Sequence, residues 1–481
     1  MALGANKAAL LGAAGSSSST SGYTIDQSIR YNDDDSPILK KTYSSAGTEE
    51  TFTLSMWVKR GGIGAGLGAS NLGLTLFSGG ADVSNYGEIV FRSSGHSTQD
   101  CLEFYNSTSG SANMMLKTNR LFRDPSAWMH LVFVMDTTNA VSSERLRMYI
   151  NGVRETSFAT ATYPAKDTVP NFNTATEHGI GGFAVGTDTR FFDGYLAEIV
   201  FLDGTATDCN SFGEYSDDGI WIPKDVSGLT FGTNGFYIDG RDSSDLGDDE
   251  SGQGNDFTAS GLAAHDQVLD TPTNNFAVYN ILYNVGDVDF PIYSEGNLSV
   301  DFNFFGKRSP VSTFALPTDS DAYCEFYIKT SASSVHNSGV GIGQGDANNA
   351  GNIALTNGVT YNFNGNKHTG DGTATSFGNT YTAGDIIGVY FDQSDNEVDF
   401  YKNNTLEGSL SLSSYSGDLF FLVANNVTSQ QVIIANFGQD DTFAGNKTSG
   451  SAGASDSSGN GKFYYTRISG AKALCSKSLG S

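Results

Sequence analysis

The stretch Ala127–Thr156, AWMHLVFVMDTTNAVSSERLRMYINGVRET, decides the fold. Trp128, Leu131, Phe133 and Met135 belong to a first run rich in apolar and aromatic residues. Leu146, Met148 and Ile150 then alternate with Arg147, Tyr149 and Asn151, the period of a strand with one buried face. Asn151-Gly152 follows, a pair that tolerates positive φ at both positions and is the strongest short hairpin signal. The stretch reads as strand, polar loop, strand, tight turn, strand. A second stretch, Gly384–Asn404 (GDIIGVYFDQSDNEVDFYKNN), repeats that logic.

Outward from these hairpins the composition is that of many short strands and turns. There are 58 Gly, 22 Tyr and 32 Phe against 9 Pro, with Ser, Thr and Asn between β-branched and aromatic runs. Almost no run has helical period. A length of 481 residues accommodates two or three domains. The 53 Asp and Glu against 27 Lys and Arg give a net charge of −26. That balance argues against a nucleic-acid or anionic-membrane partner, because phosphate binding draws on clustered Lys and Arg. No apolar run approaches the length of a membrane span. Cys101, Cys209, Cys324 and Cys475 are far apart, with no CxxC. Four cysteines allow three pairings, and buried free thiols are the plainer alternative to disulfides.

The order Trp128-Met-His-Leu-Val-Phe-Val, then Leu146-Arg-Met-Tyr-Ile-Asn-Gly-Val, resembles the middle of a LamG-like domain, the concanavalin-like jelly-roll lectin family. Thr51–Lys59 (TFTLSMWVK) resembles an early strand of that family, and Gly194–Asp203 (GYLAEIVFLD) its closing strand. The resemblance covers 24–205. Ala322–Lys329 (AYCEFYIK), the Gly384–Asn404 hairpin and Ala435–Gln439 (ANFGQ) resemble landmarks of a SPRY domain over 295–445, without that family's usual Trp residues. The expected fold class is therefore all-β: two antiparallel β-sandwich (jelly-roll) domains. Residues 206–294 form an acidic, turn-rich connector between them. Residues 1–23 form a short N-terminal attachment segment and linker, and 446–481 a Gly/Ser-rich tail with a short strand.

Within the connector, Thr233–Phe257 (TNGFYIDGRDSSDLGDDESGQGNDF) and His265–Phe276 (HDQVLDTPTNNF) resemble a recurring segment of marine bacteriophage structural proteins. That resemblance implies a virion protein: a tail fibre or adhesin anchored to other virion proteins through its N-terminal segment. Its β-sandwich modules would meet a host surface glycan or protein. A homotrimer is the expectation from the same resemblance. A capsid decoration or cement protein, and a tail-spike polysaccharide depolymerase, are the alternative classes.

Little in the sequence points to catalysis, and the expectation is a protein with no catalytic residues, no cofactor and no membrane insertion. Glycan hydrolysis needs two facing carboxylates, one kept protonated. Glu103, Glu198 and Glu325 stand out on apolar strands, but the paired-Glu motif E-x-D-x-x-E is absent, and Glu198 with Asp203 reads as an edge carboxylate and a turn Asp. The six His are scattered, and His130, Trp57 and Trp128 lie in strand runs that read as core. Calcium is the one metal to consider, because oxygen donors from Asp suit it. Asp242, Asp245, Asp248 and Asp249 form the densest carboxylate cluster, though without EF-hand spacing. In a sandwich, ligands meet the loops at the sheet ends, here Gly61–Ser70, Ser93–Asp100, Asn337–Gly351 and Asn364–Asn379.

Overall fold

The computed structural model describes residues 22–63, 73–92, 99–186, 190–283, 291–302, 309–331, 338–344, 357–370, 374–425, 430–450, 454–465 and 469–479. Residues 1–21 of the expected attachment segment, and most of the first, second and third sheet-end loops, lie outside them. The fold is all-β, as expected, and the chain divides into two compact units at Thr273–Asn274.

In the first unit one sheet orders the strands Val153–Arg154, Leu146–Ile150, Met129–Asp136, Thr51–Arg60, Gly194–Asp203, Ser28–Tyr31 and Gln267–Val268, with Phe236–Ile238 also paired to Gly194–Asp203. The second sheet orders Phe158–Thr162, Ser111–Leu121, Cys101–Thr108, Asn85–Arg92, Gly73–Asp82, Glu177–Ile180, Ile38–Thr42 and Thr258–Ser260. Alternate residues of both sheets meet in one buried core that includes Leu54, Met56, Phe133, Ile89, Phe104 and Leu116. The deciding hairpin closes as its sequence demands. Ile150 pairs with Val153, and Asn151 and Gly152 take φ of 48° and 78°.

The strand Met129–Asp136 does not alternate: it is buried on both faces from Met129 to Met135. The reason is the segment expected to be a connector. Residues 206–273 belong to the first unit, and their short strands pair with Gly194–Asp203, Ile38–Thr42 and Ser28–Tyr31. Phe212, Trp221 and Phe231 of this segment form a second apolar cluster with Trp57, Val132 and Tyr149 of the sheet. A sheet covered on both faces reads as a near-continuous apolar run, which is what Met129–Met135 is. The Gly152 turn lies beneath the same cover: a Cβ there would sit 2.3 Å from Trp221 Cε3.

The second unit pairs two antiparallel sheets. One runs Ile292–Ser294, Ser299–Phe302, Gln431–Asn436, Ala322–Thr330, Ile386–Asp392, Glu397–Lys402 and Thr405–Ser411. The other runs Thr375–Ser376, Asn366–His368, Gly358–Asn362, Gly339–Gln344 and Leu419–Ala424. Val340, Ile342, Phe326, Val389 and Ile434 share its core. The unit begins earlier than the expected 295, because Phe276, Ala277, Val278 and Tyr279 are fully buried in it. It also keeps its tail. Ala277 N–H donates to Leu474, and Leu474 N–H to Phe437. The chain ends its described part in a short helix, Ser476–Leu479.

Candidate functional site

A polar layer lies on the face of the second sheet of the first unit that points away from the core, with Glu88, Arg92 and Glu103 buried in it and Tyr86, Tyr105 and Lys117 half-buried at its edge. Strand parity builds it. In Asn85–Arg92, Ile89 and Phe91 enter the core, so Tyr86, Glu88, Val90 and Arg92 point away from it. The same parity in Cys101–Thr108 sends Glu103 and Tyr105 outward, and in Ser111–Leu121 it sends Met115 and Lys117 outward. Glu88 pairs across the ladder with Tyr105, and Tyr105 with Met115, which places these side chains in rows.

Two features result. The first is aromatic. Tyr86 and Tyr105 are half-buried with ring centroids 5.5 Å apart and planes 38° apart. The Phe183 ring lies 5.0 Å from Tyr86, and the Arg190 guanidinium lies 4.3 Å over Phe183. The second is a cluster of buried charge. Glu88 accepts from Arg190 at 2.6 Å and from Thr75 Oγ1 at 2.7 Å. Glu103 accepts from Arg92 Nε at 2.7 Å and meets Lys117 Nζ at 2.8 Å. Arg92 also lies 3.8 Å from Glu88. Burial alone would raise the Glu103 carboxyl, but Arg92 and Lys117 outweigh it and hold it below the usual carboxylate range. Burial, then Glu88, raises the Tyr86 phenol, so it stays protonated as a hydrogen-bond donor. The face thus offers flat rings beside fixed, paired charges.

The three carboxylates singled out from sequence go to three separate places. Glu103 is this ion-paired residue. Glu198 sits in a β-bulge of Gly194–Asp203 with φ of 50°. Its Oε1 accepts from Tyr23 at 2.9 Å and Tyr237 at 2.7 Å. Burial pushes its carboxyl up to about 7, against the lowering effect of the two hydroxyls. Glu325 is fully buried in the second unit and accepts from the backbone N–H groups of Tyr464 and Tyr465 at 2.7 and 3.0 Å. Burial pushes it, too, up to about 7. Asp203 accepts from Thr48 N–H and Asn173 Nδ2, both at 2.7 Å, and from Asn234 N–H at 3.0 Å. It fastens loops and does not face Glu198 as an acid–base partner.

Trp57, Trp128 and His130 are buried, which is the core role their strand positions predict. All four cysteines are free and buried. Of the calcium candidates, Asp242, Asp245 and Asp249 organise turns, Asp245 by accepting from Gly247 N–H at 3.3 Å, and Asp248 is half-buried between them. Asp242 accepts from Ser244 N–H and Oγ. Asp249 spends both oxygens on Tyr237, Ser251 and Asn255 N–H groups and the Ser251 hydroxyl, at 2.8–2.9 Å. Asp245 lines a pocket of about 360 Å³ with Leu246, Asp256 and Phe257. Among the described residues no three His, Cys, Asp or Glu converge as a metal site. A hard cation needs six or more oxygens, and Asp249, the buried member of the four, already accepts hydrogen bonds on both oxygens. The donor set does not fit calcium.

Sequence reading missed Tyr86, Glu88, Arg92, Tyr105 and Lys117. The available signal is the alternation in Tyr86–Arg92 (YGEIVFR), where charges occupy the positions between core residues.

Residues 34–209 match the laminin G family described as the concanavalin A-like lectin/glucanases superfamily. No curated protein matches the sequence. Among solved structures, a human SPRY domain is 21% identical, covering 29% of this chain and 90% of its own, with a TM-score of 0.25. Domains LG4-5 of the mouse laminin alpha1 chain are 8% identical, covering 87% of this chain and 84% of theirs, with a TM-score of 0.28. A heptameric SAP-like pentraxin from Limulus polyphemus is 14% identical, covering 38% of this chain and 78% of its own, with a TM-score of 0.28. The family match and the strand order agree on a LamG-like, concanavalin-like lectin fold for the first unit. Among the described residues no helix is long and apolar enough to cross a membrane.

Proposed function

We infer that this is a non-enzymatic glycan-binding protein of the concanavalin-like class, and that the outer sheet face around Tyr86 and Tyr105 is its sugar-binding surface. The more particular reading is a bacteriophage virion appendage, a tail fibre or adhesin. In it the N-terminal segment anchors to other virion proteins, and the two sandwiches meet a host surface glycan or protein.

The observation that carries the binding role is the half-buried tyrosine pair beside the paired charges. Sugar rings present C–H faces to aromatic planes and hydroxyls to fixed polar groups. The Tyr86 and Tyr105 hydroxyls and the Lys117 ammonium supply the latter, with Glu103 buried beneath as the fixed partner of Lys117. Hydrolysis is disfavoured for a physical reason. The two carboxylates on this face share Arg92, so neither stands apart from cations in the apolar setting that the general acid of glycoside cleavage requires. The particular reading is supported by the phage-like segments at 233–257 and 265–276. Assembly as a trimer would let weak sites act together.

Two measurements test this. Glycan-array binding of the full chain should give hits that Tyr105→Ala abolishes; no hits on host envelope glycans would sink the binding role. Immunogold labelling of purified virions should mark the tail or its fibres. Even labelling of the head would favour a decoration protein instead.

A further inference from the structure

Lys59 lies near the end of the central strand Thr51–Arg60, and Asp270 follows the strand Gln267–Val268. They are 211 positions apart, yet Lys59 Nζ lies 2.7 Å from Asp270 Oδ2 with both side chains fully excluded from solvent. The other carboxyl oxygen, Oδ1, accepts from Trp128 Nε1 at 2.9 Å. Ser28 Oγ donates to the Asp270 main-chain carbonyl at 2.5 Å and fixes its backbone. The Tyr195 ring lies 5.6 Å from Nζ. Asp124 is a further carboxylate that acts on Lys59.

We propose that Lys59 and Asp270 are joined by a self-formed amide bond, a covalent cross-link across the first unit. Two fully buried opposite charges pay a large desolvation cost. Moving one proton from Nζ to Oδ2 along their hydrogen bond leaves a neutral amine against a neutral acid. Burial lowers the Lys59 ammonium, and Asp270 opposes that only in part, which favours the transfer. The nitrogen lone pair then adds to Cγ. The negative charge that develops on Oδ1 is met by the Trp128 N–H already aimed at it. As the tetrahedral carbon collapses, the Cγ–Oδ2 bond breaks and Oδ2 leaves as water, carrying its own proton and one from nitrogen. Atoms and charge balance with no oxidant, cofactor or second substrate. Fixed proximity replaces a bimolecular encounter, and the dry surroundings oppose the reverse hydrolysis. The bond would tie the central strand to the segment that covers it, so the first unit could not unravel from its C-terminal end.

The test uses the purified full-length chain, denatured, by intact mass spectrometry and then peptide sequencing after proteolysis. The expected result is a mass one water below that of the linear sequence, together with a branched peptide containing Lys59 and Asp270. Lys59→Ala and Asp270→Ala should both return to the linear mass. A wild-type chain at its linear mass with no branched peptide overturns the proposal. So does a wild-type water loss without that branched peptide, which would mark a succinimide at an Asp-Gly pair such as Asp239-Gly240. The wild-type reading alone decides the question, even where a variant fails to fold.

Discussion

The indole N–H of Trp221 donates to Nδ1 of His130 across 3.0 Å, joining the folded-over segment to the middle of the sheet. The other imidazole nitrogen lies 2.8 Å from Ser55 Oγ, and Trp57 stacks on the ring with centroids 4.7 Å apart. The donation to Nδ1 assigns the proton to Nε2, and burial lowers this imidazole to about 3, so it is neutral. Trp221→Ala should cost about 3–5 kcal/mol, as other buried aromatic truncations do. Trp221 also stacks on the His130 ring with centroids 6.0 Å apart; Trp221→Phe keeps an aromatic ring there and should cost only about 1–3 kcal/mol for the unpaired Nδ1. Chemical denaturation of both variants separates packing from hydrogen bonding. Equal losses would mean that the stack contributes little.

That contact also marks where the sequence stops being readable. The Asn151-Gly152 turn is legible because its two positive φ values, 48° and 78°, restrict which residues fit. The sandwich cores are legible for the same kind of reason: long strands repeat one parity often enough to be seen. The cover is not. Gly213–Tyr215 and Trp221–Pro223 are too short for alternation to emerge from an acidic, turn-rich background. Its trace survives only on the opposite side of the contact, in the unbroken apolar run of Met129–Met135. The candidate face is hidden differently. Glu88 and Glu103 become a unit only through Arg92, and that depends on the register between two strands, which composition does not encode.

Glu198 and His130 give the first unit opposing pH dependences. The Glu198 carboxyl is raised to about 7 in the folded chain. Its contribution is therefore full below its unfolded value and is lost as pH rises towards 7. The His130 imidazole is lowered to about 3 and His178 to about 4. Their contribution is full above the unfolded histidine value, near 6.5, and is lost as pH falls towards 3. Glu198→Gln should remove the first slope, raising stability at pH 8 relative to wild type by roughly 2–3 kcal/mol and changing little at pH 4. Thermal melts of the two proteins at both pH values test this. A constant difference between them would contradict it.

Glu325 fastens the tail of the second unit through the N–H groups of Tyr464 and Tyr465. Glu325→Ala leaves both donors without that acceptor and should cost about 2–4 kcal/mol. The loss should first appear as local opening of the tail. Limited proteolysis at Lys462 and Lys472 should accelerate in the variant before the core unfolds. Glu325→Gln keeps a carbonyl acceptor and should be milder. Unchanged cleavage in Glu325→Ala would show that the tail is held by its other contacts, such as Leu474 to Phe437.

Because Asp249 is consumed by hydrogen bonds within its own loop, added calcium should not move the melting temperature, and a chelator should not lower it. Asp249→Ala should lower it by several degrees in either buffer, through the loss of three N–H acceptor contacts. A calcium-dependent rise in wild type that is absent from the variant would restore the metal reading of this loop.

The sugar-binding role makes its sharpest demand on Tyr86 and Tyr105. Both rings are half-buried on the outer face, away from the core, so removing either should leave the fold intact by circular dichroism and melting. Binding should respond strongly. An aromatic anchor at the centre of a contact surface is worth about 2 kcal/mol when truncated, which is roughly a thirtyfold rise in Kd at 1.4 kcal/mol per decade. Lys117→Ala should act differently. Lys117 is one of three cations that, among the described residues, face two carboxylates here. Its removal should weaken glycans carrying carboxylate or sulfate more than neutral ones, and that difference should fade as salt is added. Titration calorimetry with matched neutral and acidic oligosaccharides separates the two effects. If Tyr105→Ala binds as well as wild type, the aromatic face is not the contact surface, whichever glycan is bound.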